Sequence, residues 1–233
     1  MSVQARLRAM NPNSQAFRDE LNAGLAQAGL SPFDPSNPTD ATRIQQFEDY
    51  LSLILRWNTR VNLTSIRDDS GIITRHFVES IACARALPPG IITLLDFGSG
   101  AGFPGIPIAL CRPEIAVTVA ESQGKKAAFL QEAIRILGIS AKVHAQRAEL
   151  LTTHFDCVVL RAVDRMSQAV GGAARLVRPG GWLTLMTTGS ELTRFQDSAG
   201  SEFIWQVEPL FAADDHRILA FGRHAFNGDG GGC

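Results

Sequence analysis

The stretch LLDFGSGAGFPGIPIAL, residues 94–110, constrains the fold of this chain more than any other segment. An apolar run typical of a buried strand leads into a turn with closely spaced glycines and then into an apolar helix. Gly98, Gly100 and Gly102 allow backbone conformations closed to other residues, and they let a ligand approach the turn closely. This order of elements is typical of a nucleotide-binding unit at the carboxyl edge of a parallel sheet.

The chain before residue 91 is predicted to be helical. A helical pattern around Phe17 is followed by the proline-rich linker SPFDPSNP, and Thr39 or Asp40 is predicted to cap the helix beyond it. A further amphipathic helix is predicted over residues 72–87. We therefore expect an N-terminal helical cap in front of the sheet.

From residue 91 onward short aliphatic runs alternate with helical stretches, which is typical of βαβ units. Strands are predicted at residues 92–97, 116–120, 141–144, 156–160 and 182–186, and helices at 105–111, 124–137 and 167–176. Two more strands, at 203–210 and 216–221, are so close in sequence that an antiparallel pair is expected. The predicted fold is α/β, a mostly parallel, doubly wound sheet with a terminal antiparallel pair.

These patterns divide the chain into regions. We predict a partly helical N-terminal extension at 1–40, a helical cap at 41–90, a nucleotide-binding domain at 91–226 and a flexible tail at 227–233. The hydrophobic share of 45% and the charged share of 19% are typical of a folded globular chain.

Several classes of protein are disfavoured by the sequence. No apolar run approaches the roughly 20 residues that span a bilayer, and no secretory signal is recognisable, so a cytoplasmic location without membrane contact is expected. Cys83, Cys111, Cys157 and Cys233 have neither zinc nor disulfide-framework spacing, so no metal is expected. The net charge of −1 gives no global sign of nucleic-acid binding.

The spacing of the glycines separates two classes of cofactor. A dinucleotide fingerprint reads G-x-G-x-x-G, whereas this chain has Phe103 where the third glycine would stand, so a nicotinamide-dependent oxidoreductase is disfavoured. The pattern D-x-G-x-G-x-G resembles the S-adenosylmethionine turn instead. Glu121 ends the second strand, where an acid accepts hydrogen bonds from ribose hydroxyls. Glu149 follows the third strand, where a loop can meet the adenine amino group.

From about Leu51 to Arg217 the chain resembles the bacterial 16S ribosomal RNA guanine-N7 methyltransferase family, also known as the glucose-inhibited division protein B family. The resemblance is carried by RWNTRVNLTSI (56–66), RHFVESI (75–81), the glycine segment (94–110), ESQGKKAAFL (121–130), QRAE (146–149) and LRAV (160–163). It implies a Rossmann-like, S-adenosylmethionine-dependent methyltransferase that modifies guanine 527 of 16S RNA, either naked or in a small-subunit precursor. It also implies cofactor contacts by Gly98, Phe103, Ala148, Glu149 and Arg161.

Arg161 ends the fourth predicted strand, where it is expected to position the acceptor or the cofactor. The alternative is a structural ion pair, for example with Asp164. The chain lacks the D-P-P-Y and P-C motifs that serve exocyclic amines and carbon acceptors. A guanine N7 carries a lone pair and no proton, so positioning rather than a general base is expected to supply the rate.

Basic residues are candidates for RNA contact. The alternative interpretation of each is an arginine or lysine that is exposed to solvent and binds no RNA. The candidates are Arg56, Arg60, Arg67, Arg75, Lys125, Arg147, Arg165 and Arg217.

The chain departs from the family pattern at Glu79, where Asp is more usual, and at Thr188, where Lys is more usual. Two other functions stay open, a methyltransferase for a small molecule or protein and a non-catalytic nucleotide-binding module. A monomer is expected.

Overall fold

The computed structural model describes residues 14–211 and 214–225. The predicted tail at 227–233 and the beginning of the predicted N-terminal extension lie outside the described residues. Within the described ranges no helix is both long enough and apolar enough to cross a membrane.

Helices precede the sheet, as predicted. They are α1 (Ser14–Gln27), α2 (Pro38–Asn58), α3 (Asp69–Ile72) and α4 (Glu79–Ala86), with a π-helical turn (Ile73–Val78) that joins α3 to α4. The predicted cap of α2 was wrong, because the side chain of Asn37 accepts from the backbone N–H groups of Thr39 and Asp40 at 2.9 and 3.2 Å. Pro38 then fits the first helical turn, where its missing N–H costs nothing.

The sheet has the strand order β3-β2-β1-β4-β5-β7-β6. Its strands are β1 (Thr93–Phe97), β2 (Ala116–Ala120), β3 (Ala141–His144), β4 (Phe155–Arg161), β5 (Val177–Thr188), β6 (Phe203–Phe211) and β7 (Asp214–His224). Strands β1 to β5 are parallel, and β7 runs antiparallel to both β5 and β6. The predicted mostly parallel sheet with a terminal antiparallel pair is confirmed. The order reverses between β1 and β4, and ligands bind at such a switch point in open α/β sheets.

The helices that connect the strands are α5 (Gly105–Cys111), α6 (Gly124–Leu137), α7 (Met166–Ala174) and α8 (Gly189–Ala199). The bounds of α5 and α6 agree with the prediction. Helix α8 was not predicted, although Leu192, Phe195 and Ala199 recur at spacings of three and four residues and pack into one core cluster.

The cap helices share one hydrophobic core with a face of the sheet. Phe47 of α2 and Phe77 of the π-helical turn are fully buried in the same cluster as Leu94 and Val119 of the sheet. Phe17 of α1 packs edge-on against Phe77, with ring centroids 6.4 Å apart. The cap is therefore anchored beside the sheet, and the segments that follow α2 reach its carboxyl edge.

Candidate functional site

A cavity of about 430 Å³ opens at the carboxyl ends of β1, β2 and β4. Its lining comes from the glycine turn, the end of β2, the loops after β3 and β4, and the cap. The volume lies within the range of small-molecule sites, roughly 300 to 1,000 Å³. Across residues 14–211 and 214–225 no group of His, Cys, Asp or Glu side chains is arranged to hold a metal ion.

Two of the three glycines in the turn that were predicted to bind the cofactor line this cavity. Gly98 and Gly100 line it, with φ of +74° and +59°. A Cβ at Gly98 would lie 3.0 Å from a methyl group of Val163, so a side chain there would be strained and crowded. Gly102 is absent from the lining. It faces the cap instead, since a Cβ there would meet the Tyr50 hydroxyl and lie 2.6 Å from Ile106 Cδ1. Its role is the packing of the cap against the turn.

A buried carboxylate lies beneath the glycine turn. Asp96 is fully buried, and its Oδ2 accepts from Ser99 Oγ at 2.5 Å and from the Gly105 N–H at 2.9 Å. Burial raises the pKa of Asp96 to about 6. A Cβ at Gly105 would lie 2.6 Å from the same oxygen. Asp96 and Gly105 were not among the predicted site residues, although Asp96 is the aspartate of the D-x-G-x-G-x-G pattern.

Glu121 lies where β2 ends and lines the cavity. Its Oε2 accepts from the Gly100 N–H at 3.0 Å, and its Oε1 accepts from the Gln123 N–H at 2.7 Å. The side chain is buried, so both backbone donors hold the carboxylate in one orientation. Ala148 and Glu149 follow β3 in a short 3₁₀ turn and line the same cavity, with Ala148 buried and the Glu149 side chain 37% exposed.

Two stacked rings form the wall that the cap contributes. The rings of His76 and Phe103 both line the cavity, 4.6 Å apart and 18° from parallel. The His76 Nε2 and the Thr64 Oγ1 share a hydrogen bond of 2.8 Å. Burial, followed by the nearby charges of Arg161 and Arg75, lowers the pKa of His76 to about 3. The imidazole is therefore neutral near pH 7.

The side chain of Asn58 holds the segment that carries Thr64. Its Oδ1 accepts from the N–H groups of Leu63 and Thr64 at 3.0 and 3.2 Å, and its Nδ2 donates to the carbonyls of Thr64 and Ile66 at 3.2 and 3.3 Å. Asn58 thus holds residues 63–66 of the cap in place. Leu63 and Thr64 line the cavity, although neither was among the predicted site residues.

Arg161 ends β4 and lines the cavity with a side chain that is only 12% exposed. Its Nη2 donates to Glu79 Oε2 at 2.5 Å and also contacts the carbonyl of Arg75. The ion pair suggested with Asp164 is replaced by one with Glu79, which comes from the cap. Burial, with Arg75 as the second cause, lowers the pKa of Arg161 to about 10.

The loop after β4 carries backbone strain. Ala162 and Arg165 have φ of +47° and +52°, in the left-handed region that favours glycine. Both residues line the cavity together with Val163. Strained backbone of this kind costs free energy and tends to cluster at functional sites.

The predicted RNA-contact residues fall into two groups by their surroundings. Arg147 and Arg165 are exposed and line the cavity, and Arg60 and Lys125 are exposed elsewhere; of these four, Arg147 has its Nε 4.0 Å from Glu149 Oε2. The second group is held by closer protein partners. Arg56 binds Glu132 at 2.6 Å, Arg67 donates to the Asn58 carbonyl and to Asn62 Oδ1, each at 2.9 Å, and Arg75 and Arg217 both contact Glu79.

Together, the 3-2-1-4-5-7-6 strand order, the glycine turn after β1 and the carboxylate at the end of β2 define the Rossmann-like methyltransferase class of fold. A predicted O-methyltransferase from Agrobacterium tumefaciens has this fold, with a TM-score of 0.54 and 18% identity over 63% of this chain and 80% of that one. A ribosomal protein L11 methylase from Lactobacillus delbrueckii subsp. bulgaricus gives a TM-score of 0.53 and 13% identity over 65% of this chain and 79% of that one. These likenesses establish the fold.

The chain belongs to the GidB family, described as rRNA small subunit methyltransferase G, whose model matches residues 43–216. A relative from Stenotrophomonas maltophilia is 41% identical over 169 residues, which cover 71% of this chain and 74% of the relative. A relative from Xanthomonas euvesicatoria is 38% identical over 177 residues, which cover 75% and 80%. Both are named ribosomal RNA small subunit methyltransferase G. The family resemblance found in the sequence motifs is confirmed.

Proposed function

We propose that this chain transfers a methyl group from S-adenosyl-L-methionine to N7 of a guanine in 16S ribosomal RNA, which the motif resemblance assigns as guanine 527. The observation that carries the proposal is the cavity at the switch point of the sheet, in a member of the family described as rRNA small subunit methyltransferase G. Because this substrate is ribosomal RNA or a small-subunit precursor, we place the protein in the cytoplasm, and we expect it to act as a monomer.

The residues of the cavity fit this cofactor. Apart from its chain neighbours, no residue that the structure describes has an atom within 4 Å of the Cβ position of Gly100, so the backbone there stays open to a ligand. In the proposed binding mode the amino-acid end of the cofactor lies against Gly98, and the backbone around Phe103 flanks it. The fixed carboxylate of Glu121 accepts from the ribose hydroxyls, and Glu149 and Ala148 meet the adenine.

The proposed chemistry asks the protein for positioning and for charge. When bound, the cofactor supplies an electrophilic methyl carbon on a sulfonium. Guanine N7 offers an in-plane lone pair and loses no proton, so the neutral, half-buried His76 is not required as a base. Positive charge passes to the purine, and the carboxylates of Glu121 and Glu149 at the cavity wall favour that charge. Arg161 is the proposed positioning group at the end of β4.

The function is tested by labelled methyl transfer. Wild-type protein and cofactor with a labelled methyl group are incubated with 16S RNA, and with small-subunit particles, from cells that lack the modification. We expect one labelled guanine whose N7 methylation makes the RNA strand cleavable after borohydride and aniline treatment. A 16S RNA with that guanine replaced by adenine is the matched control. Label on an exocyclic amine, on protein or on a small molecule, or binding without transfer, would overturn the proposal.

A further inference from the structure

The carboxylate of Glu79 is the meeting point of arginines from separate parts of the fold. Its Oε1 accepts from Arg75 Nε at 3.0 Å, its Oε2 accepts from Arg161 Nη2 at 2.5 Å, and Arg217 Nη1 contacts Oε1 as well. Glu79 itself is only 3% exposed. One buried side chain therefore joins the cap, the end of β4 and β7.

Glu79 provides one of the two contacts that hold the Arg161 guanidinium in place. The Nη2 of Arg161 has two contacts, the Glu79 carboxylate and the Arg75 carbonyl, both from the cap. Its Nη1 is buried and has no hydrogen-bond partner among the residues that the structure describes. A buried guanidinium that loses its carboxylate is left with an uncompensated charge, so it shifts or draws in water.

The strand end that Arg161 occupies is also part of the cavity. Arg161 lines it, and two residues further on the methyl groups of Val163 lie 3.0 and 3.1 Å from the Cβ position of Gly98. A displacement of this strand end therefore reaches both the predicted acceptor side and the predicted cofactor side of the cavity.

We propose that Glu79 is a positioning residue for methyl transfer, which fixes the Arg161 guanidinium at the cavity wall while Arg217 braces Glu79 from β7. This inference rests on the proposed function, because it takes the cavity as the place of transfer. Glu79 touches neither reactant and acts through Arg161. If Glu79 had a purely structural role, its replacement would lower the stability of the fold, and its effect on the methyl-transfer rate would be the same with and without Arg161.

A double-mutant cycle separates the two roles. The turnover rate is measured as total methyl transfer to 16S RNA for the wild type, Glu79→Gln, Arg161→Gln and the double variant. We expect Glu79→Gln to lower kcat by about 10- to 100-fold in the wild-type background, and by less than about twofold where Arg161 is already replaced. Equal losses in both backgrounds would overturn the proposal. Wild-type protein that transfers no methyl group to RNA would instead overturn the proposed function.

A second readout uses the protein without cofactor. Arginine side-chain NMR should show separate Nη–H signals for Arg161 in the wild type, because a clamped guanidinium rotates slowly, and averaged signals in Glu79→Gln. Averaged signals already in the wild type would contradict the clamp. Glu191→Gln, which removes an exposed acid 3.5 Å from Arg194 on α8, is the matched control and should leave both readouts unchanged.

Glu79→Asp is a second variant for the same cycle, to be used if the Glu79→Gln protein does not fold. It keeps the charge and withdraws the carboxylate by one methylene, so we expect an intermediate loss of kcat that again disappears in the Arg161→Gln background. An intermediate loss that persists in that background would overturn the proposal as clearly as the first cycle.

Discussion

The buried hydroxyl of Tyr50 donates a hydrogen bond to the backbone carbonyl of Ala101, in the middle of the glycine turn. Tyr50 belongs to α2, and its ring is stacked on Phe77 at 5.5 Å and tilted against Phe103 at 5.4 Å. The Cβ position of Gly102 is closed by the same hydroxyl. The cap therefore fastens the turn that we propose holds the cofactor, in addition to covering the sheet.

Replacement of Tyr50 by Phe is expected to weaken both stability and cofactor binding. The variant keeps the stacked ring but leaves the Ala101 carbonyl buried without this donor, which costs about 1 to 3 kcal/mol. The free energy of unfolding is measured in urea, and cofactor affinity by calorimetry. Thr42→Val is the matched control, because it removes a side-chain bond to the Pro38 carbonyl at the other end of α2. Cofactor affinity that matches the control would contradict a role for Tyr50 in holding the turn.

Two glycines with similar backbone angles give a sharper test of the pocket. Gly98 and Gly90 have φ of +74° and +81°, so alanine at either position costs about 1 to 2 kcal/mol in backbone strain. Within the described ranges no atom other than those of its chain neighbours lies within 4 Å of the Cβ position of Gly90, whereas Gly98 faces Val163 in the cavity. We expect Gly98→Ala to weaken cofactor binding at least tenfold, roughly 1.4 kcal/mol, and Gly90→Ala to leave it unchanged. Equal affinities measured by calorimetry would show that the cofactor lies elsewhere.

The regular part of this fold could be predicted from local signals. Helices α5 and α6 have the predicted bounds because glycine or proline turns and apolar periods mark both of their ends. The convergence of Gly98, Glu121 and Glu149 on one edge followed from the parallel strand order, since successive strands of such a sheet end on the same side.

The rest of the site depends on contacts that leave no local trace. Arg161 and Glu79 are 82 residues apart in sequence, and no periodicity relates them, so Asp164 was the nearest acid to suggest. The left-handed backbone at Ala162 is similarly invisible in a segment without glycine. Gly102 has the motif position of a ligand contact, but it is absent from the cavity lining and lies against the Tyr50 hydroxyl, which no local pattern indicates.

The neutral state of His76 predicts a loss of stability in acid. Its pKa is lowered from 6.5 to about 3. Between these two pH values His76 is protonated in the unfolded chain but neutral in the folded chain. Stability is therefore present above pH 6.5 and is lost as the pH falls toward 3, by about 1.4 kcal/mol between pH 7.5 and 5.5. We expect urea unfolding of His76→Gln to lack this loss. Asp96, whose pKa is raised to about 6, titrates in both proteins and cancels. Parallel curves of unfolding free energy against pH for the two proteins would contradict a neutral, half-buried imidazole at His76.

The surroundings of the arginines predict which of them bind RNA. Arg147 and Arg165 are exposed at the cavity, so changing either to Gln should weaken binding of a 16S fragment. The slope of log affinity against log salt concentration should become shallower by about one. Arg56 is already bound to Glu132 at 2.6 Å, and Trp57 Nε1 donates to the same carboxylate at 2.8 Å.

Arg56→Gln is therefore the matched control. It removes the same charge but should cost at most about 1 kcal/mol of stability and leave RNA affinity near the wild-type value. Fluorescence anisotropy at several KCl concentrations measures the affinities. A salt slope that falls as far in Arg56→Gln as in Arg165→Gln would mean that the ion pair with Glu132 opens to reach RNA, and the division into two groups would be wrong.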